Sequence, residues 1–378
     1  MIEVCQGTMT LAGRPTAIDL FSGAGGLSLG FEMAGFDVVG AVELDRIHAA
    51  THLQNFPDCA VINRDIRSVS GRDLRSETRL GSADLTAVIG GPPCQGFSVM
   101  GRQAPDDPRN SLVAEYARLV LELKPRYFLF ETVKGFGFRR NASLVSTFLA
   151  TLSVAYDVAG PVLVDSATWG LPQRRERVFI LGRRLDVDEP SNLFPSAPLT
   201  GLPTVWDAIT DLAGLDQVDG LTVTDVYLGE LPPAPSEYAR VLRLPRKHAG
   251  QSEIDAKPFG LSGCKRSAHS LTTVLRFAEI ETGGRDPVSR FDRLHPSRVA
   301  PTLRAGTGPD HGSHTAARPI HPYVPRCVTV REAARLQSFP DWFRFNPTTW
   351  HGFRQIGNSV PPNIAEHFAG HIALNVAR

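Results

Sequence analysis

Long apolar runs are missing from the 378-residue sequence, and so is a charged N-terminal segment followed by a hydrophobic one. Neither a membrane span nor a signal peptide is therefore expected, and the chain is expected to work in the cytoplasm, where it is made. Cysteine is scarce: Cys5, Cys59, Cys94, Cys264 and Cys327 are odd in number, scattered, and contain no C-x-x-C pair. That pattern excludes a disulfide framework and a structural zinc site, so no metal is expected and any special cysteine must act as a thiol. Net charge is almost absent too, with 40 basic residues against 39 acidic ones. A nucleic-acid partner can then be argued only from where positive charge gathers. It gathers between Lys265 and Arg304, where eight basic residues face four acids. A solvated surface explains that run equally well.

What is present reads first as architecture. Over the first 180 or so residues, short β-branched or aromatic runs alternate with amphipathic stretches, the signature of βαβ units and a parallel sheet. Strands are expected at Thr16 to Phe21, Phe36 to Val42, Thr86 to Ile89 and Tyr127 to Phe130, and a core-facing helix at Asn110 to Leu123, closed by Pro125. After about Arg184 the texture turns rich in proline, glycine and polar residues until about Pro325. Regularity returns with a T-x-x-E capping box at Thr329 and Glu332 and a last helix after Pro362. The predicted fold is α/β, a doubly wound, mostly parallel Rossmann-like sheet with a smaller loop-rich domain. Residues 1–185 form the first part of the large domain, 186–317 the small one, and 318–378 return to the large one.

Several stretches can carry chemistry. Asp19-Leu20-Phe21-Ser22-Gly23-Ala24-Gly25-Gly26-Leu27 runs from a strand into a glycine turn, and Leu27, Phe31 and Ala34 suggest the helix that follows. Glu43 lies about twenty residues after Gly23, where a nucleotide-binding fold places a carboxylate for ribose hydroxyls. Ser28 stands where the dinucleotide fingerprint has its third glycine, so pyrophosphate is not specially indicated. Gly90-Gly91-Pro92-Pro93-Cys94-Gln95-Gly96-Phe97-Ser98 puts a thiol at the carboxyl edge of the sheet, on a rigid backbone path. A lone cysteine in such a turn can equally be a small buried residue. Glu131 ends a strand at the same edge, where it can face Cys94 or merely meet solvent. Strand alternation puts Gln173, Arg175 and Arg177 on one face, suited to a phosphate or a base carbonyl, or to an internal salt-bridged edge.

In order along the chain, Asp19 to Gly26, Gly90 to Ser98, Glu131-Thr132-Val133, Gln173 to Arg177, Thr329 to Pro340 and Gln355 to Pro362 strongly resemble the cytosine-C5 DNA methyltransferase family. The resemblance spans roughly Thr16 to Pro362 and covers the middle segment only weakly. It implies S-adenosylmethionine as cofactor and a flipped cytosine as substrate. Cys94 resembles the nucleophile that adds to C6, Glu131 the acid at N3, and Arg175 the base-contacting arginine, with Gln173 and Arg177 supporting the loops. Asp19, Phe21, Gly23, Gly25, Gly26, Glu43, Asp65, Pro93, Asn358, Ser359 and Val360 look like cofactor contacts. The middle segment looks like a target-recognition domain, its Ala300 to Gly308 resembling the threonine-leucine recognition loop, so Ser98, Thr302, Arg304 and Gly306 are expected at the DNA.

Double-stranded DNA is the implied partner of a monomer, with companion restriction or defence proteins. Thr132 departs from the family's usual Glu-Asn-Val, which implies weaker bracing of the catalytic loops. An RNA cytosine-C5 methyltransferase acting on transfer RNA is argued against by the long, arginine-bearing middle segment. A silent DNA-binding homologue has only Thr132 in its favour, and a nicotinamide dehydrogenase leaves Cys94 and the C-terminal block unexplained.

Overall fold

The structure, a computed structural model, describes residues 13–78, 80–93, 111–187, 192–198, 201–246, 260–306 and 318–376. Cys94 and Ser98 lie outside the described residues. The strands are β1 (Thr16–Leu20), β2 (Asp37–Val42), β3 (Ala60–Ile62), β4 (Ala87–Gly90), β5 (Tyr127–Val133), β6 (Tyr156–Asp165) and β7 (Glu176–Arg184). They form one sheet in the order β3-β2-β1-β4-β5-β7-β6. The first five are parallel, whereas β7 is antiparallel to both β5 and β6. The mostly parallel α/β expectation therefore holds.

Helices cover both faces, as a sheet whose strands are apolar on both sides requires. Along the chain they are α1 (Gly26–Met33), α2 (Arg46–Asn55), α3 (Gly71–Glu77), α4 (Ser111–Leu123), α5 (Ala142–Ser153), α6 (Val205–Ile209), α7 (Glu237–Leu242), α8 (Leu271–Glu279), α9 (Val330–Leu336), α10 (Thr349–Asn358) and α11 (Pro362–Val376). Alternation divides each strand between two cores. Ala17, Ile89, Leu129 and Phe179 join α1, α9 and α11 on one side, while Ile18, Val88, Phe128 and Ile180 join α3, α4 and α5 on the other. The Thr329 hydroxyl and the Glu332 carboxylate cap α9 reciprocally, as the T-x-x-E pattern predicts.

One strand boundary is corrected. β5 runs through to Val133, so Glu131 sits inside the strand instead of ending it. The cause is β7, whose antiparallel ladder pairs Glu131 with Phe179 and Val133 with Arg177.

The C-terminal helix packs back on the first one. A Cβ on Gly30 would lie 2.4 Å from the Ala365 Cβ and 2.4 Å from the Pro362 carbonyl oxygen, and one on Gly26 would lie 2.2 Å from the Val360 carbonyl oxygen. The two ends of the chain meet because these positions have no side chain. Residues 192–306 pack differently along their length. Val205, Ala208, Ile209, Leu294, Ala300 and Leu303 join the first core, while Leu212, Leu215, Leu221 and Cys264 make a small cluster of their own.

Gly30→Ala is expected to destabilise the chain by about 1–3 kcal/mol through overpacking. Gly370→Ala, in α11 with nothing within 4 Å of its new methyl, should be neutral or stabilising. Thermal melting followed by circular dichroism distinguishes them; equal melting of both variants would mean that α1 and α11 are not in close contact.

Candidate active site

Open parallel sheets bind ligands beyond the carboxyl ends of their strands, where successive loops diverge. At that edge β1 leads into Phe21–Gly25, a turn with positive φ at Phe21 (64°), Gly23 (56°) and Gly25 (101°). Phe21 pays the steric cost of a left-handed aromatic residue, roughly 1–2 kcal/mol. Such strain persists where surrounding contacts over-determine the backbone. Gly23 has nothing within 4 Å of where a Cβ would sit, so there is open space over the turn. Gly25 is crowded instead, with the Phe56 and His52 rings filling its Cβ direction.

Glu43, just past β2, closes the turn from the side. Its Oε2 accepts from the Gly23 N–H at 2.8 Å and its Oε1 from the Asp45 N–H at 2.7 Å. Each oxygen keeps a lone pair for a further donor. Burial raises the pKa of this carboxyl. Asn358 is exposed at the end of α10, and the Ser359 hydroxyl donates to the Gln355 carbonyl. Asp65 caps the turn after β3 and pairs with Arg67, which holds its carboxyl below the ordinary range.

Behind the turn lies a buried network that sequence reasoning saw only in part. Ser28 donates to Asp19 Oδ2 at 2.6 Å and lies 3.0 Å from His52 Nε2. The direction of the Ser28–His52 contact follows the tautomer of the imidazole, which is neutral here. Burial lifts the Asp19 carboxyl to about 7 and pushes the His52 imidazole down to about 3. Asp19 Oδ1 and His52 Nδ1 have no hydrogen-bond partner among the described residues.

Glu131 occupies the adjoining part of the edge. Its Oε2 would be 2.6 Å from a Cβ on Gly91, so only glycine there lets the loop leading to Cys94 run against the carboxylate. Arg177 Nε lies 3.1 Å from Glu131 Oε1. Burial raises the Glu131 pKa, opposed by Arg177 and then Arg175. Arg175 is itself buried: its guanidinium donates to the carbonyls of Leu303 (3.1 Å), Gly357 (2.8 Å) and Ser359 (3.0 Å). Its Nε has no partner among the described residues.

Gln173 reaches the same seam from the other direction. Its Oε1 accepts from the Leu303 N–H, and its amide nitrogen donates to Gln337 and to the Leu336 carbonyl. Gln173 and Ala300 form a short parallel bridge, and the Thr302 hydroxyl donates to the Arg174 carbonyl at 2.8 Å. The expected single strand face carrying residues 173, 175 and 177 is corrected accordingly, because β7 begins only at Glu176 and residues 172–174 pair with the 300–302 segment. Arg304 and Gly306 are exposed beyond that seam. Gln337 and Gly357 are the residues that motif reading missed. Gln337 also donates to the Ser359 carbonyl, and Gly357 has the Ala305 backbone where its Cβ would be, a pairing that no local pattern announces.

The glycine turn, a carboxylate below it and a second carboxylate against the next loop lie together at the carboxyl edge of the sheet, where α/β enzymes bind nucleotide-type ligands. The family model for C-5 cytosine-specific DNA methylases matches residues 16–373. The chain belongs to that family and is a DNA (cytosine-5)-methyltransferase. It is 46% identical over 365 residues to the type II methyltransferase M.XorII of Xanthomonas oryzae pv. oryzae, covering 95% of this chain and 84% of that one. It is 32% identical to M.DdeI of Desulfomicrobium norvegicum, over 94% of this chain and 88% of that one. Among solved structures, an E. coli prophage protein assigned as a DNA modification methyltransferase superposes with a TM-score of 0.80 at 35% identity, over 97% of this chain and 100% of that one. Spodoptera frugiperda DNMT2, at 16% identity and a TM-score of 0.61, shares the fold, over 95% of this chain and 99% of that one. Among the described residues, no helix is long and apolar enough to cross a membrane.

Two outcomes are expected from these contacts. Arg175→Ala orphans three carbonyls and should lower stability by on the order of 3 kcal/mol. Arg175→Lys should restore little, since a point charge cannot serve three acceptors in a fork. Melting of Arg175→Ala together with the wild type would sink this reading. For Asp19, the folded chain holds a proton that the unfolded chain has released between the ordinary carboxyl value of 3.8 and about 7. Its contribution to stability is therefore complete below that window and declines as pH rises through it. His52 acts oppositely, losing stability as pH falls from 6.5 towards about 3. The melting-temperature difference between Asp19→Asn and wild type should accordingly grow in the variant's favour from pH 5 to 7, and a difference independent of pH would refute the raised value.

Proposed function

We propose that the chain methylates carbon 5 of a flipped cytosine through a transient bond from Cys94 to C6, with S-adenosylmethionine as donor. The observation that carries this reading is the buried Glu131 carboxyl held against Gly91, three residues before Cys94. The Cys94 thiolate adds to C6 while N3 takes the proton of Glu131, which makes C5 an enamine carbon able to accept a methyl group. S-adenosylmethionine supplies that methyl as an electrophile when bound. Loss of the C5 proton to a solvent water then expels the Cys94 thiolate from C6, and N3 returns its proton to Glu131. Burial suits Glu131 to this work, since it keeps the acid protonated at higher pH than an exposed glutamate.

The residues of the glycine turn fit the donor. Open space over Gly23, the remaining lone pairs of Glu43, the Phe21 ring and the exposed Asn358 amide supply a cradle for an adenosine group. Gly25, Gly26, Asp19, Ser359 and Val360 shape its floor, while Pro93 and Asp65 stand at its rim. Arg175, Gln173 and Arg177 hold the pocket for the base, and Thr302, Arg304 and Gly306 carry the recognition loop to the duplex. Residues 186–317 are the target-recognition domain, residues 1–185 and 318–378 the catalytic one. Kinship with type II methyltransferases supports action on DNA beside a companion restriction or defence protein, and the proposal takes the chain as a cytoplasmic monomer on double-stranded DNA.

Bisulfite sequencing of DNA from cells expressing the wild type is expected to show methylation in one short motif, and none with Cys94→Ser. Glu131→Gln should lower single-turnover methylation by on the order of 10²- to 10⁴-fold. Since the acid form does the work, the wild-type rate should fall as pH rises through the elevated Glu131 value. Equal methylation by wild type and Cys94→Ser removes the covalent step, and methyl transfer to transfer RNA alone removes DNA as substrate.

A further inference from the structure

Positive charge helps hold DNA only where the fold has not already neutralised it. Part of the basic stretch between residues 265 and 304 is neutralised or tied inward: Arg276 pairs with Asp286 and Arg285 with Asp292, while Arg266 is committed to the Asp216 and Val218 carbonyls and Arg293 to four carbonyls. The turn that follows β5 is built differently. Arg139 and Arg140 are exposed, and neither has an ion-pair partner among the described residues. The Arg140 guanidinium lies 5.1 Å over the Phe138 ring, and Lys134, at the start of the turn, is paired with Glu176 at 2.9 Å. Beside Arg139 the surface is formed by Gly137, Phe138, Ala142, Val145, Ser146 and Leu149, with no acid among them.

The turn is also rigid. Phe136 is fully buried, with its ring 5.6 Å from that of Phe130 and 6.3 Å from that of Phe148. Asn141 Nδ2 donates to the Gly135 carbonyl at 2.6 Å, closing the turn on itself. Its place is the carboxyl end of β5, the strand that carries Glu131, at the same sheet edge as Gly91 and the glycine turn. Arg174, whose side chain is 72% exposed, stands at that edge just before β7.

We propose that Arg139 and Arg140 clamp the phosphate backbone of the substrate duplex from the catalytic-domain side. Two neighbouring planar guanidiniums on a fixed turn match phosphate oxygens and carry no base information, so the clamp fixes the register of the duplex without reading its sequence. This rests on the reading that the duplex lies along the edge bearing Glu131.

The test is fluorescence anisotropy of the full chain with a fluorescein-labelled random-sequence duplex, over a series of NaCl concentrations, for wild type, R139A/R140A and R139K/R140K. Each neutralised phosphate contributes about 0.9 to the slope of log affinity against log salt. The alanine pair should therefore lose about 1 to 2 from that slope and bind more weakly at low salt. The lysine pair should keep the slope, since counterion release depends on charge, and both variants should melt with the wild type. A wild-type slope in R139A/R140A overturns the clamp even if bisulfite sequencing shows full methylation. A wild type that methylates no DNA fails the proposed function instead, whatever the slopes.

Discussion

A buried guanidinium with no carboxylate hydrogen-bonded to it is expensive, and the site depends on how Arg175 is accommodated. Burial lowers its pKa, Arg177 lowers it further, and Glu131 opposes both. What satisfies its donors is backbone: one carbonyl from residue 303 and two from residues 357 and 359, so that two segments more than fifty residues apart meet on it. The recognition-loop segment and the C-terminal block can therefore occupy only positions that present oxygens to one planar fork. Gln173 and Gln337 extend the same seam with neutral amides, which satisfy buried backbone groups without adding charge. Glu131 lies beside this seam, held by Arg177, the neighbour but one of Arg175 along the chain.

A second set of buried charges fastens the middle segment to α9. Arg335 reaches Asp211 at 2.7 Å and Asp341 at 2.7 Å, and Arg326 bridges Asp216 at 2.6 Å and Glu332 at 2.8 Å. Glu332 is held down at about 2, its burial outweighed first by Arg326. Removing one partner from such a cluster leaves an uncompensated buried charge, so these pairs define which face of the middle segment docks, more than they add to net stability. The same helix cap that reads so clearly in the sequence, Thr329 with Glu332, thus also anchors a distant segment.

The division of charge follows from this arrangement. Arginines in the middle segment serve largely as internal ties, because a loop-rich stretch with a small apolar cluster of its own has many backbone carbonyls to satisfy. Exposed arginine on a pinned turn, as at residues 139 and 140, is charge that no acid among the described residues neutralises.

Local pattern was sufficient for four of the five parallel strands, the glycine turn, the α9 cap and the ordered motifs that identify the family, since each is written in contiguous residues, while the three-residue β3 is too short to show a period. Sequence alone also brought Glu131 and Gly91, the start of the loop that leads to Cys94, to one sheet edge, from the strands that carry or precede them. It did not show that β5 continues past Glu131, because the ladder that prolongs it is supplied by β7, more than forty residues later. Nor did it show that Arg175 turns its guanidinium to three carbonyls, or that Gly26, Gly30, Gly91 and Gly357 are glycines to admit remote atoms. Those facts belong to the tertiary structure, because burial, close approach and hydrogen-bond demand depend on what another part of the chain brings to the same place.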